Sequence, residues 1–204
     1  MKEFGLENSF TPYLSEERFE DNRIFGFIDF EERRIYLNPR LCEEDDILKT
    51  ILFLQPAAYL YETSEDKRKI RRMIQKSTLL FGIAYYFMEE ACKRLNITVQ
   101  SIESVYNPRF EKEIEGMKEG YRIGKEIEMR IPEECPAKRR WIKALLNFLS
   151  KSESLDEGIR KCLEIVRKDY REFFVEGGLA AYRKGIANIH HLKNNLLKAM
   201  GEGK

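Results

Sequence analysis

From Ile70 onward, apolar side chains recur at intervals of three and four, at Ile74, Phe81, Ala84, Met88, Ala91 and Leu95, with Ser77 in the same register. That period keeps one face of a helix apolar for about seven turns. Strands alternate every two residues and cannot carry it. The spacing therefore predicts one long helix, entered through a loose capping box of Thr63 with Asp66. Ser154 with Glu157 makes a second capping box, and Ile159, Leu163, Val166, Tyr170 and Phe173 continue its apolar stripe as far as Gly177-Gly178. A last stripe, from about Leu179, uses Tyr182, Ile186, Ile189, Leu192, Leu196 and Met200. With 204 residues the chain can bury a core as a single domain over 1–204.

The N-terminal region has a different rhythm. Apolar runs Phe25 to Phe30 and Ile35 to Leu37 flank the charged turn "EERR", which predicts a hairpin, and Asn38-Pro39 stops its second strand. The run "CEEDDILKTILFLQ" then places acids at the positive start of a helix, and Pro56 is expected to break or kink that helix. Between Asn96 and Pro132 the pattern is mixed. Phe110, Ile114, Met117 and Tyr121 follow helical spacing while Ile127, Met129 and Ile131 alternate, so the expectation is helix followed by strand. Gly116, Gly120 and Gly124 would line one helix face and admit another backbone, or mark a helix ending in turns; the second reading is the commoner one. The resulting fold class is α+β, predominantly α: a helical domain with a small N-terminal β-hairpin.

Charge divides the chain more sharply than hydrophobicity does. Residues 1–66 hold 16 acids against 7 Lys or Arg, and the remainder holds 19 against 29. An acidic hairpin-plus-helix region, 1–62, thus precedes a basic helical body, 63–204. Either the two dock on each other or the body meets an anionic partner. Many charged residues with few Gln and His is the bias of thermophile proteins.

Four cysteines, Cys42, Cys92, Cys135 and Cys162, show no CxxC pair and read as reduced, mostly buried thiols. The first twenty residues contain no apolar signal-like core, and the most apolar run, Thr78 to Met88, is 11 residues long, too short to span a bilayer. A cytoplasmic protein with no membrane partner is expected.

Two basic segments are candidates for anion binding. In "DKRKIRRMIQK", Arg68, Lys69, Arg71, Arg72 and Lys76 fill the arc opposite Ile70, Met73 and Ile74. Five like charges within three turns repel one another unless acids or phosphates lie opposite. In "KRRWIKALLNFLSK", the apolar residues around Trp141 cover an arc of roughly 200° and leave Arg139, Arg140 and Lys143 on the remainder. An arc that wide describes a helix packed on two sides, with Trp141 in the core.

Enzyme motifs are scarce: there is no GxSxG, P-loop, GxGxxG after a strand, or HExxH. His190 and His191 are adjacent, so on a helix they diverge by about 100° and cannot share one metal. Glu89-Glu90 reads as a helix-surface pair. Gly26 to Tyr61, a hairpin leading into a helix, resembles the N-terminal part of small zinc metallopeptidases. The resemblance would place HExxH at Phe53 to Ala57, where the residues are Phe, Leu, Gln, Pro and Ala, so it implies a scaffold without zinc ligands or general base. Together these readings point to a non-enzymatic intracellular binding or assembly protein, without cofactor, that meets nucleic acid or an acidic protein through its basic helix faces. Its amphipathic helices also offer surfaces for a homo-oligomer. An enzyme or pseudo-enzyme on a degenerate metallopeptidase-like scaffold is the alternative.

Overall fold

The structure, a computed structural model, describes residues 4–20, 24–40, 43–105 and 107–175. The hairpin forms as its pattern predicts. β2 (Gly26–Asp29) and β3 (Arg34–Leu37) pair antiparallel, with Phe27 opposite Tyr36 and Ile28 opposite Ile35. The Asp29 carboxylate accepts the backbone N–H of Glu31 and of Glu32, both at 2.9 Å, and Arg33 adopts a φ of 53°, which closes the turn without an Asn-Gly pair. A third strand, β1 (Thr11–Leu14), pairs parallel with β3, giving the order β1-β3-β2. Sequence reading missed it because "TPYL" has no alternation and carries Pro12, which is tolerated only where no ladder partner needs its N–H. Ile35 and Leu37 of the central strand are fully buried and join the core beneath the sheet.

α1 (Glu44–Thr63) starts under three acids, Glu44, Asp45 and Asp46, that suit its positive end. It runs through Pro56 without the break that was one of the two outcomes expected there. Seven consecutive residues, Leu54 to Leu60, are buried, so packing on all sides outweighs the lost backbone hydrogen bond. The long helix expected from Thr63 to Leu95 is two helices. Thr63 is the last residue of α1, and Asp66 caps α2 (Lys67–Lys76) by accepting the Lys69 N–H. Ser77, which the periodicity placed on the apolar face, ends α2 and begins α3 (Thr78–Arg94): its hydroxyl accepts the Leu80 N–H at 3.1 Å and donates to Asp156. A buried serine with both hydrogen bonds made is a cap, and its extended backbone turns the chain between the two helices.

α4 (Glu111–Met129) is helical throughout, so the strand expected around Ile127 to Ile131 is absent; Ile127 and Ile131 are both fully buried at the helix's far end. Gly116, Gly120 and Gly124 lie inside α4 and do not end it. They face α3. A Cβ added at Gly120 would sit 2.1 Å from the Leu79 carbonyl oxygen, one at Gly82 would sit 1.9 Å from that of Met117, and Gly116 lies against Thr78. The backbones of α3 and α4 therefore approach more closely than any side chain at those points would allow.

α5 (Trp141–Leu149) follows a 3-10 turn at Lys138–Arg140, and α6 (Leu155–Lys168) begins at Ser154, whose hydroxyl accepts the Glu157 N–H as the capping box predicts. The stripe from Ile159 to Phe173 is also divided. α6 ends before Asp169, which caps α7 (Tyr170–Phe174). One apolar cluster, from Leu6 through Phe174, joins sheet and helices. No described helix is long and apolar enough to cross a membrane. Cys42, Gly177-Gly178, the predicted last helix and both histidines lie outside the described residues.

Candidate functional site

Three of the ten residues of α2 are apolar and face inward: Ile70 and Ile74 are buried and Met73 is half-buried. At 100° per residue that fixes the other side of the helix toward solvent. Arg68, Lys69, Arg71, Arg72 and Lys76 share that solvent side. Lys67, between the two faces, is not part of the display: its ammonium donates to the carbonyl oxygens of Tyr61 (2.7 Å), Glu62 (2.6 Å) and Ser64 (2.8 Å), closing the C-terminus of α1. Desolvation there pulls its pKa below the usual lysine value.

The five cations are not equivalent. On one flank Arg71 pairs with Glu31 of the β2–β3 turn at 2.8 Å and lies over the Phe30 ring, 5.9 Å from its centroid. On the opposite flank Lys69 pairs with Glu153 of the α5–α6 connection. Between them Arg68, Arg72 and Lys76 are exposed and make no ion pair among the described residues. Their spacing of four puts them in a row along the helix, about 6 Å apart. Sequence reading grouped all five correctly around the helix but missed the two acids, which come from 40 positions before and 84 positions after their partners and leave no local signal.

The second basic segment sits elsewhere. Arg139 lines a cleft of about 470 Å³ with Glu90 and Arg94, at the C-terminal end of α3, whereas α2 meets α3 at its start. The two sets thus meet α3, 17 residues and about 25 Å long, at opposite ends. Arg139 and Arg140 are exposed and engage neighbours within the chain. Lys143 is half-buried, its side chain lying beside Gly5. Lys138 is nearly buried, held by Glu128 (3.1 Å), Glu133 (2.6 Å) and the Ile131 carbonyl (3.0 Å). The structure thus brings Arg68, Lys69, Arg71, Arg72 and Lys76 together and leaves Arg139, Arg140 and Lys143 at a different end of the molecule.

Near that cleft lies a polar network that includes Glu89 and Glu90, the pair expected on a helix surface. Glu89 is only 16% exposed at its side chain, accepts the Tyr121 hydroxyl at 2.8 Å and pairs with Lys93, which also binds Glu90. The Tyr86 hydroxyl donates to Glu128 at 3.2 Å while its ring packs on Trp141. Burial, reinforced by Glu128, pushes the Tyr86 hydroxyl far up, and burial with the Glu89 hydrogen bond pushes Tyr121 up to about 12. These are neutral donors bracing α3 against α4. Their carboxylate partners are all engaged.

Among the described residues no group of three His, Cys, Asp or Glu side chains is arranged to hold a metal ion. Phe53 to Ala57, where the metallopeptidase resemblance would put its motif, is spent on packing: Phe53 stacks on Phe81, and Gln55 is buried and accepts a hydrogen bond from Asn8. No family model matches the chain, and no curated protein or solved structure matches it either.

Proposed function

We propose that the chain is a non-enzymatic binding protein that holds nucleic acid by its phosphates on the outer face of α2. One observation carries this reading: Arg68, Arg72 and Lys76 stand in a row on one helix face with no acid opposite them among the described residues, while the cations on either side of the row are paired. Like charges at spacing four destabilise a helix. A polyanion laid along the row would remove that repulsion and release counterions, so the same feature that costs the free protein favours the complex. The amide row of α2 is internally bonded and the helix lies flat on the body, which suits backbone contact better than base reading.

The alternative, an enzyme or pseudo-enzyme on a metallopeptidase-like scaffold, has in its favour the passage from the β2–β3 hairpin into α1. Its motif positions are filled by packing residues, so the binding reading is preferred. The test is association of the full chain with a labelled oligonucleotide across a salt series. Three neutralised phosphates predict a log–log slope of about −2 for a single strand. Absence of association at low salt would refute the reading.

A further inference from the structure

The two acids flanking α2 say which form of nucleic acid fits. Resting on the reading above, we infer that the row takes a single strand running along the α2 axis and disfavours a duplex. Glu31 stands on the Arg71 side and Glu153 on the Lys69 side, and their side chains are 79% and 89% exposed. Both carboxylates therefore project into solvent beside the row. The cationic strip between them is no wider than one helix, about 10–12 Å with its side chains, and Arg68 to Lys76 spans about 12 Å along the axis.

A single strand laid along that strip meets only cations. A duplex is wider and carries two phosphate chains, separated by grooves about 6 and 12 Å across, so seating one chain on the row brings the other over Glu31 or Glu153. Like charges brought together in this way act against the wrong partner more than they weaken the right one. The acids also explain why two of five cations are tied down. Lys69 and Arg71, each held by its acid at an edge of the strip, leave Arg68, Arg72 and Lys76 as the phosphate contacts. No exposed aromatic side chain lies on α2 itself, so the strand is held by its backbone with little preference for sequence.

The experiment compares a short labelled single strand with the duplex of the same sequence, binding to the full chain and to the Glu31→Gln/Glu153→Gln variant at one low salt concentration. Both acids are exposed, so the variant should keep the parent's thermal unfolding curve. The parent should prefer the single strand by about tenfold or more, and the variant should lose most of that preference, its duplex affinity rising about tenfold and its single-strand affinity less than about threefold. Equal affinity of the parent for both forms, or a variant in which both affinities rise by the same factor, would overturn the inference while leaving phosphate binding by α2 intact. Binding of neither form would remove the function reading and the inference together.

Discussion

Trp141 shows how far a single residue can be read from its neighbours. The apolar arc around it predicted burial, and the indole is 4% exposed, packed against Tyr86. Replacing it with Ala should destabilise the protein by about 3–5 kcal/mol. As the sole tryptophan, it should emit at short wavelength in the native state and shift red on unfolding; emission typical of free tryptophan in the native protein would contradict this packing. Glu126 makes the complementary point about charge. Its carboxylate takes both Arg167 nitrogens at 2.9 Å and also Arg130, and the Arg167 hydrogen bonds, followed by those of Arg130, hold its pKa down at about 2 from an ordinary 4.5. A depressed carboxylate stabilises the fold fully above its unfolded value and loses that contribution as pH falls through the folded one. The stability difference between the parent and Arg167→Gln, measured by denaturant titration, should therefore be largest above about pH 5 and shrink toward pH 2. Nothing local announces this pair, because its members lie 41 positions apart.

At the scale of elements, helix content was legible and helix boundaries were not. Periodicity found the apolar faces of α2, α3 and α6 because those faces pack on the core, but it could not see that Ser77 and Asp169 interrupt them. Ser77 stays in register, the second stripe passes over Asp169 from Val166 to Tyr170, and the side-chain hydrogen bonds of the two residues reveal the caps. Pro56 and the α4 glycines err in the other direction: Pro56 does not break α1, and of the two readings of the glycines the commoner, a helix ending in turns, gives way to the other, close approach of a second backbone. The glycines give a test in which neighbouring substitutions have opposite signs. A Cβ at Gly124 meets only ordinary contacts, 3.4 Å and beyond, so Gly124→Ala should be neutral or stabilise by up to about 1 kcal/mol through helix propensity. Gly120→Ala drives a methyl into the Leu79 backbone and should destabilise by about 1–3 kcal/mol or more. Chemical denaturation of both variants decides it, and equal effects would mean that α3 and α4 are not in backbone contact at Gly120.

For the whole molecule, the uneven charge was visible in the sequence and its disposition was not. The acidic first third does not simply cover the basic body. α1 enters the core through apolar packing, and Arg71–Glu31 is an ion pair across the boundary. Glu44, Asp45 and Asp46, which are among the acids of that first third, serve the start of α1. The outermost cations of α2, Arg68, Arg72 and Lys76, stand in a row left over once these contacts are made, and a helical wheel could not show that, since it contains no information about Glu31 or Glu153. The central claim is that this leftover row binds phosphates. Its most direct test is Arg68→Glu/Arg72→Glu, measured for oligonucleotide affinity at low salt and for thermal unfolding side by side. The account predicts affinity reduced more than about tenfold with the single-strand salt slope falling from about −2 to about −0.7, and an unfolding free energy within about 0.5 kcal/mol of the parent. Unchanged affinity, or a variant that unfolds because the row was holding acids of the protein itself, would contradict it.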